Sequence, residues 1–228
     1  YDVYKLGEQY MNTGKDNFLL SIKRMNELRA TYQRQAEINY IKEHYNGISY
    51  GVNLKHRREY ATKYASFPVS HYDMALMELS FRYGKDEKFF QTRNHRIPIT
   101  FDAWIFHFKH TMARKGFLGS DYDYHRTDIG VQKRIWFSAF GYLDAIVKAG
   151  KVWNEVPYPL LILPNANMSY TIQPETYTNM NPLEFINDEY ASWDLTYYMN
   201  GNLLNRIPLI KKLRWREVFC FRGLWGNL

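Results

Sequence analysis

The side chains best placed to do chemistry in this chain are charged residues that recur at every second position among apolar neighbours. Arg126, Asp128 and Arg134 alternate with Thr127, Ile129 and Ile135, and Asp144 and Lys148 with Leu143, Ala145, Val147 and Ala149. Asp194 repeats the pattern between Trp193 and Leu195. In an extended chain successive side chains point to opposite faces, so this spacing puts acids and bases on one face and apolar groups on the other. These six residues are expected to line the polar side of a wall, which becomes the lumen if the wall curves into a barrel. Shielded from water they need partners across strands. They then either brace the wall or bind a loop, a plug or a passing polypeptide, and bracing is the preferred expectation.

Other candidates are weaker. His107 and His110 are three apart, so on a strand they face opposite ways and cannot share an ion. The single Cys220 cannot make an internal disulfide and reads as a small apolar residue. Asp121 with Asp123, and Asp144 with Glu155, are carboxylate pairs of the kind that bind calcium or hydrolyse glycosides, yet Asp is equally a turn residue. Asn167-Met168-Ser169 matches a glycosylation sequon, a triplet common by chance. There is no Gly-x-Ser-x-Gly elbow, P-loop or dinucleotide fingerprint. The expectation is a protein that is not an enzyme and uses no metal or cofactor.

The elements that carry these residues are strands. In Ile48–Lys55 apolar side chains occupy the even positions and small or polar ones the odd positions. Strands are expected near Asn26–Glu43, Ile48–Tyr60, Asp73–Tyr83, Ile99–Thr111, Tyr122–Phe137, Phe140–Trp153, Glu189–Met199 and Leu213–Gly226. A helix is a rival over the first of these, where Leu28, Tyr32 and Ala36 are four apart. Asn46-Gly47, between alternating runs, is a strong hairpin signal and favours strand. Several runs exceed the usual ~5–6 residues of a globular strand and approach the roughly 9–11 needed to cross a bilayer. Connections near 44–47, 138–139 and 200–212 read as short, and those near 60–72, 112–121 and 154–188 as long. The one at 85–98 lies between. Pro157–Pro164, the greasiest run, reads as loop.

Composition agrees with a wall that is apolar outside, polar inside and girdled by aromatics. The chain has 20 Tyr, 14 Phe and 6 Trp, and a mean hydropathy of -0.52 despite 46% hydrophobic residues. Trp104, Trp136, Trp153, Trp193 and Trp215 are candidate interface anchors, with Arg206–Glu217 a basic stretch beside the last. The net charge of +7 is scattered, which argues against a nucleic-acid groove. No run approaches the ~20 apolar residues of a membrane helix. The expected fold is all-β, an antiparallel up-and-down transmembrane β-barrel of which this chain supplies about eight strands. Residues 1–25 are a lead-in segment or loop, and 26–228 a partial barrel with a long loop at 154–188. The chain, opening at Tyr1, is read as a fragment of something longer.

Gly116–Leu228 also resembles an uncharacterised family of bacterial outer-membrane proteins. The likeness lies in Gly119-Ser120-Asp121-Tyr122-Asp123-Tyr124, Lys148-Ala149-Gly150-Lys151-Val152-Trp153 and Val156-Pro157-Tyr158-Pro159-Leu160-Leu161. It continues in Pro164-Asn165-Ala166-Asn167, Met180-Asn181-Pro182-Leu183-Glu184-Phe185, Asn205–Leu213 and Trp215-Arg216-Glu217-Val218. Longer members of that family carry a carboxypeptidase-regulatory-like domain ahead of a BamA-like barrel of the surface-antigen superfamily. The resemblance implies a barrel of roughly sixteen strands, within the known range, in the bacterial outer membrane. It implies a role in outer-membrane protein assembly or polypeptide export, and carries over no catalytic residues. The partners expected are outer-membrane lipid and periplasmic or surface protein subunits, with no nucleic acid. A nutrient-uptake barrel and a soluble aromatic-rich β-sandwich that binds glycans are the rival readings.

Overall fold

A computed structural model of the chain describes residues 2–5, 30–63, 65–92, 96–167, 169–170 and 175–227. Its strands are β1 (Asp2–Lys5), β2 (Ala30–Glu43), β3 (Ile48–Tyr60), β4 (His71–Lys85), β5 (Phe89–Gln91) and β6 (Arg96–Pro98). They continue as β7 (Trp104–Ala113), β8 (Tyr124–Trp136), β9 (Tyr142–Val152), β10 (Glu189–Tyr198) and β11 (Val218–Asn227). Nine of them form one antiparallel sheet in the order β1-β2-β3-β4-β7-β8-β9-β10-β11, while β5 and β6 make a separate hairpin. The fold is therefore all-β and up-and-down. Among the described residues the sheet is open, because β1 and β11 do not pair with each other.

All eight expected strands form, and the departures have local causes. β7 starts at Trp104 rather than Ile99, because Arg96–Pro98 turns back to pair with Phe89–Gln91, and Pro98 has no N–H to continue a ladder. β11 starts at Val218 rather than Leu213. Pro208 opens a one-turn helix at Pro208–Lys211, as suits its fixed φ. Arg214 then takes a positive φ of 53°. Of the lead-in, Asp2–Lys5 pairs with Ala30–Gln33; the rest of it and the strand start expected at Asn26 lie outside the described residues. The Asn46-Gly47 hairpin forms as expected. Gly47 has a φ of 82°, and a Cβ there would meet the Gly84 carbonyl oxygen at 2.2 Å, so only glycine fits.

Connections 44–47, 86–103, 137–141 and 199–217 gather at one end of the sheet, here called the lower end. Connections 61–70, 114–123 and 153–188 gather at the upper end. The contrast of short against long holds at 44–47 and 137–141 and fails at 86–103 and 199–217, which carry structure of their own.

Apolar side chains occur on both faces of the sheet, buried on one and exposed on the other. The main buried cluster, built on Tyr72, Met74, Leu76, Tyr124, Leu160 and Ile162, sits at the upper end of the sheet's polar face. The opposite face leaves Ile38, Leu54, Phe81, Phe108, Ile129, Val147 and Phe221 each at least 40% exposed.

Candidate functional site

Register alone fixes which side chains share the polar face. Asn53 on β3 lies beside Glu78 on β4, Arg134 on β8 beside Asp144 on β9, and Asp194 on β10 beside Arg222 on β11. All six sequence-predicted residues, Arg126, Asp128, Arg134, Asp144, Lys148 and Asp194, fall on this one face, and each has a partner.

Arg126 and Asp128, two apart on β8, form a bidentate pair with both bonds at 2.7 Å. The Tyr190 hydroxyl donates to Asp128 at 3.2 Å. Arg134 donates twice to Asp144, at 2.6 and 2.8 Å, with its guanidinium 4.1 Å from the centre of the Tyr142 ring. Arg222 meets Asp194 at 2.6 Å, and Lys148 donates to Glu175. A second network crosses β2, β3, β4 and β7. There Lys55 lies 3.7 Å from both Glu37 and Glu78, and Lys109 lies 3.0 Å from Glu78.

Glu175 belongs to the 153–188 connection, which folds back over this face rather than away from it. Its first part docks at the upper end. The Tyr158 hydroxyl donates to the Ser66 carbonyl at 2.9 Å, while Leu160 and Ile162 complete the buried cluster with Tyr72 and Met74. Ile162 and Asn187 exchange both backbone hydrogen bonds, closing the base of the excursion. Its middle part reaches β11, where Arg222 donates to the Thr176 carbonyl at 3.4 Å and the Tyr177 hydroxyl to the Gly223 carbonyl at 3.4 Å. Burial pushes the Tyr177 phenol above its ordinary pKa, and burial with the nearby Glu59 charge does the same to Tyr158. Between connection and sheet lies a cavity of about 70 Å³, lined by Lys148, Glu175, Tyr177, Tyr190, Asp194 and Arg222. Ile146, Leu163 and Leu224 make much of the rest of its wall apolar, and the charged groups in it with that volume suit a few water molecules. The sequence signal for this docking was the apolar run Pro157–Pro164, which composition alone reads as loop.

The remaining candidates separate. His107 faces the polar side with Lys109, whereas His110 faces the other and contacts Thr127 Oγ1 at 2.9 Å. Asp121 accepts from the Asp73 N–H at 2.7 Å and Asp123 from the Lys115 N–H at 2.9 Å, so the first carboxylate ties the loop to β4 and the second closes the loop on itself. Asp144 lies near the lower end of β9 and Glu155 just past its upper end, with about 26 Å of strand between Asp144 and Val152 at the usual rise. Asn167 is buried and accepts from the Ser169 N–H at 3.1 Å, which leaves no exposed sequon. Cys220 is exposed on β11, with Thr196 Oγ1 at 3.7 Å. Among the described residues no three of His, Cys, Asp and Glu gather as a metal set.

The other face carries a slanted apolar band. Register aligns Lys42, Tyr50, Phe81, Phe108, Ile129, Ala149, Ala191 and Trp225 in one lateral row across β2 to β11. On β2 and β4 the first charges above that row are Arg34 and Asp73, eight residues up the strand. On β9 and β10 they are Lys151 and Glu189, only two residues up. His110 and His125 mark the boundary between them. The lower boundary falls in the same sense, from Lys42 on β2 to Lys85 on β4 and Lys133 on β8, and then past Leu143, Tyr197 and Phe219, which are still apolar. Six residues of fall over six strand steps, at about 3.3 Å per residue and about 4.8 Å per strand, is a slope of roughly 35°.

The five tryptophans take different places. Trp104 closes the lower end of β7 on the apolar face, stacked on Phe106. Trp136 ends β8 on the polar side, beside Arg134 and Tyr142. Trp153 stands just above β9 and donates to Thr127 Oγ1 at 3.0 Å. Trp215 is exposed in the lower 199–217 connection. Trp193 lies at mid-height of the apolar face, over Gly223, whose missing side chain makes room for the indole.

Compared with known proteins, residues 26–227 match a family profile described as "Family of unknown function (DUF5686) C-terminal domain". No curated protein matches the chain.

Proposed function

The chain belongs to the family of unknown function DUF5686, as its C-terminal domain, and from that premise and its two faces we propose that it is part of the wall of an outer-membrane β-barrel. The slanted band carries this reading. In a membrane barrel the strands incline about 35–45° to the bilayer normal, so a horizontal slab of hydrocarbon crosses the register rows at that angle. A band of roughly 35° between charged margins is what such a slab selects. The polar face with its paired ions then lines the lumen, and the 153–188 connection lies inside as a plug or lid. A soluble sandwich would cover its apolar face with a second sheet. Here the connection covers the polar face instead, and among the described residues no second sheet covers the apolar face.

Within a barrel the activity we assign is assembly of outer-membrane proteins or export of polypeptide, on the resemblance of Gly116–Leu228 to an outer-membrane family whose longer members carry a BamA-like barrel. The open edges at β1 and β11 are filled by further strands, since hydrocarbon does not tolerate unpaired backbone. Partners are outer-membrane lipid and periplasmic or surface subunits. The test is a gel of the full-length protein from an outer-membrane fraction, unheated beside boiled. The reading predicts a faster unheated band, from a barrel that resists detergent until heated. A single unshifted band from protein found in the soluble fraction would overturn it.

A further inference from the structure

The apolar face has one place where it is more than a surface. Near its upper margin the register sets Ile38, Leu54, Met77 and Met112 side by side in one row, which ends at His125 on β8. The 114–123 connection leans over this row. Leu118 takes a φ of 47° between Gly116 at 79° and Gly119 at 81°, a tight curl that brings Phe117 and Leu118 over the row. Row and overhang enclose a groove of about 1040 Å³, with His56, Arg114 and His125 among its lining residues.

Resting on the reading of this face as lipid-facing, we propose that the groove holds one lipid molecule with an anionic phosphate headgroup. Acyl chains lie along the Ile38–Met112 row beneath Phe117 and Leu118, and the phosphate meets Arg114 with His56 and His125. Two acids, Asp123 and Glu37, also line the groove, with Lys55. Asp123 is turned to the Lys115 N–H, Glu37 is matched by Lys55 on the polar side, and Asp73 is held by Arg58. Arg34 stands opposite Arg58 in the register, two residues beyond His56, which extends the cationic margin. A peptide strand is a poorer occupant. The backbones of β2, β3, β4 and β7 are paired with one another, and strand addition requires a free edge.

The test counts lipid retained by the full-length protein, purified from membranes in detergent and given phosphatidylglycerol or phosphatidylcholine of identical chains, by native mass spectrometry. Wild type retains phosphatidylglycerol in preference. Arg114→Gln reduces that preference about five-fold, the equivalent of ~1 kcal/mol for a basic side chain at an anionic membrane surface. Phe117→Ser lowers retention of both lipids. Lys115→Gln, in the same connection but off the groove, changes neither. Unchanged preference in Arg114→Gln, or an equal loss in Lys115→Gln, overturns the site. Protein recovered from cells in the soluble fraction would instead sink the membrane reading, and is seen before any lipid is added.

Discussion

The polar face is one chemistry in two environments. On β8 to β11, beneath the 153–188 connection, the Arg126 and Asp128 side chains are 8% and 6% exposed, and Glu175, which holds Lys148, is 4% exposed. On β2 to β7, below the upper end where the connection docks on Tyr72 and Met74, Glu37 is 37% and Lys109 36% exposed. Alternation put acids and bases on both halves. The difference is that a covered pair has given up its water and depends on its partner, while an open pair still has water to fall back on. Covering therefore turns a polar surface into a braced one. It does so where the connection has apolar side chains to spend on docking.

The sharpest way to break the contrast is to orphan a covered charge. Asp128→Ala leaves Arg126 buried without its carboxylate and is expected to cost about 3–5 kcal/mol, read as a lower urea midpoint for the full-length protein in lipid vesicles. Next comes Leu160→Ala, which opens a hole where the connection docks. It is expected to cost roughly 2–4 kcal/mol and to speed proteolytic cutting between 164 and 187. Glu175→Gln removes the charge that Lys148 meets. The expected loss is about 1–3 kcal/mol, with cutting of the connection faster while the sheet's own midpoint shifts less.

In the open half Lys109→Ala should change the stability read from the midpoint by no more than about 1 kcal/mol. A loss as large as that of Asp128→Ala would erase the distinction between the halves. The smallest effect is outside both, at the lower end. Burial alone would raise the Glu217 carboxyl, but N–H donors, including Leu203 at 3.0 Å and Leu204, outweigh it and hold it below the usual carboxylate range. With the folded pKa depressed, its contribution is present above the ordinary value of 4.5 and is lost as pH falls through the folded pKa. Glu217→Gln should lower stability slightly at neutral pH, match the wild type at low pH, and so flatten the acid limb of the stability profile.

The strands were legible because a period of two is local. Ile48–Tyr60 has the same limits in the sequence pattern and in the structure. Arg126, Asp128, Arg134, Asp144, Lys148 and Asp194 were placed on one face by parity alone. What parity does not carry is partnership. Arg134 with Asp144 and Asp194 with Arg222 depend on register across strands, and Lys148 with Glu175 on a connection that returns from 27 residues away. Boundaries failed where proline or a short helix intervened, at Pro98 and Pro208, because there the backbone, not the side-chain pattern, ends the strand.

By itself, then, the sequence determined the class of structure and the two-faced character of each strand, since both follow from side chains a few residues apart. Only the tertiary structure decided three other things. Register alone aligns the strands into rows, so the slant of the apolar band, which runs across strands, is invisible within any one of them. The burial of Pro157–Leu163 is tertiary too, because an apolar run is a loop or a core according to what stands opposite it. The groove under Phe117 and Leu118 is the third, since its floor comes from four strands and its overhang from a fifth segment.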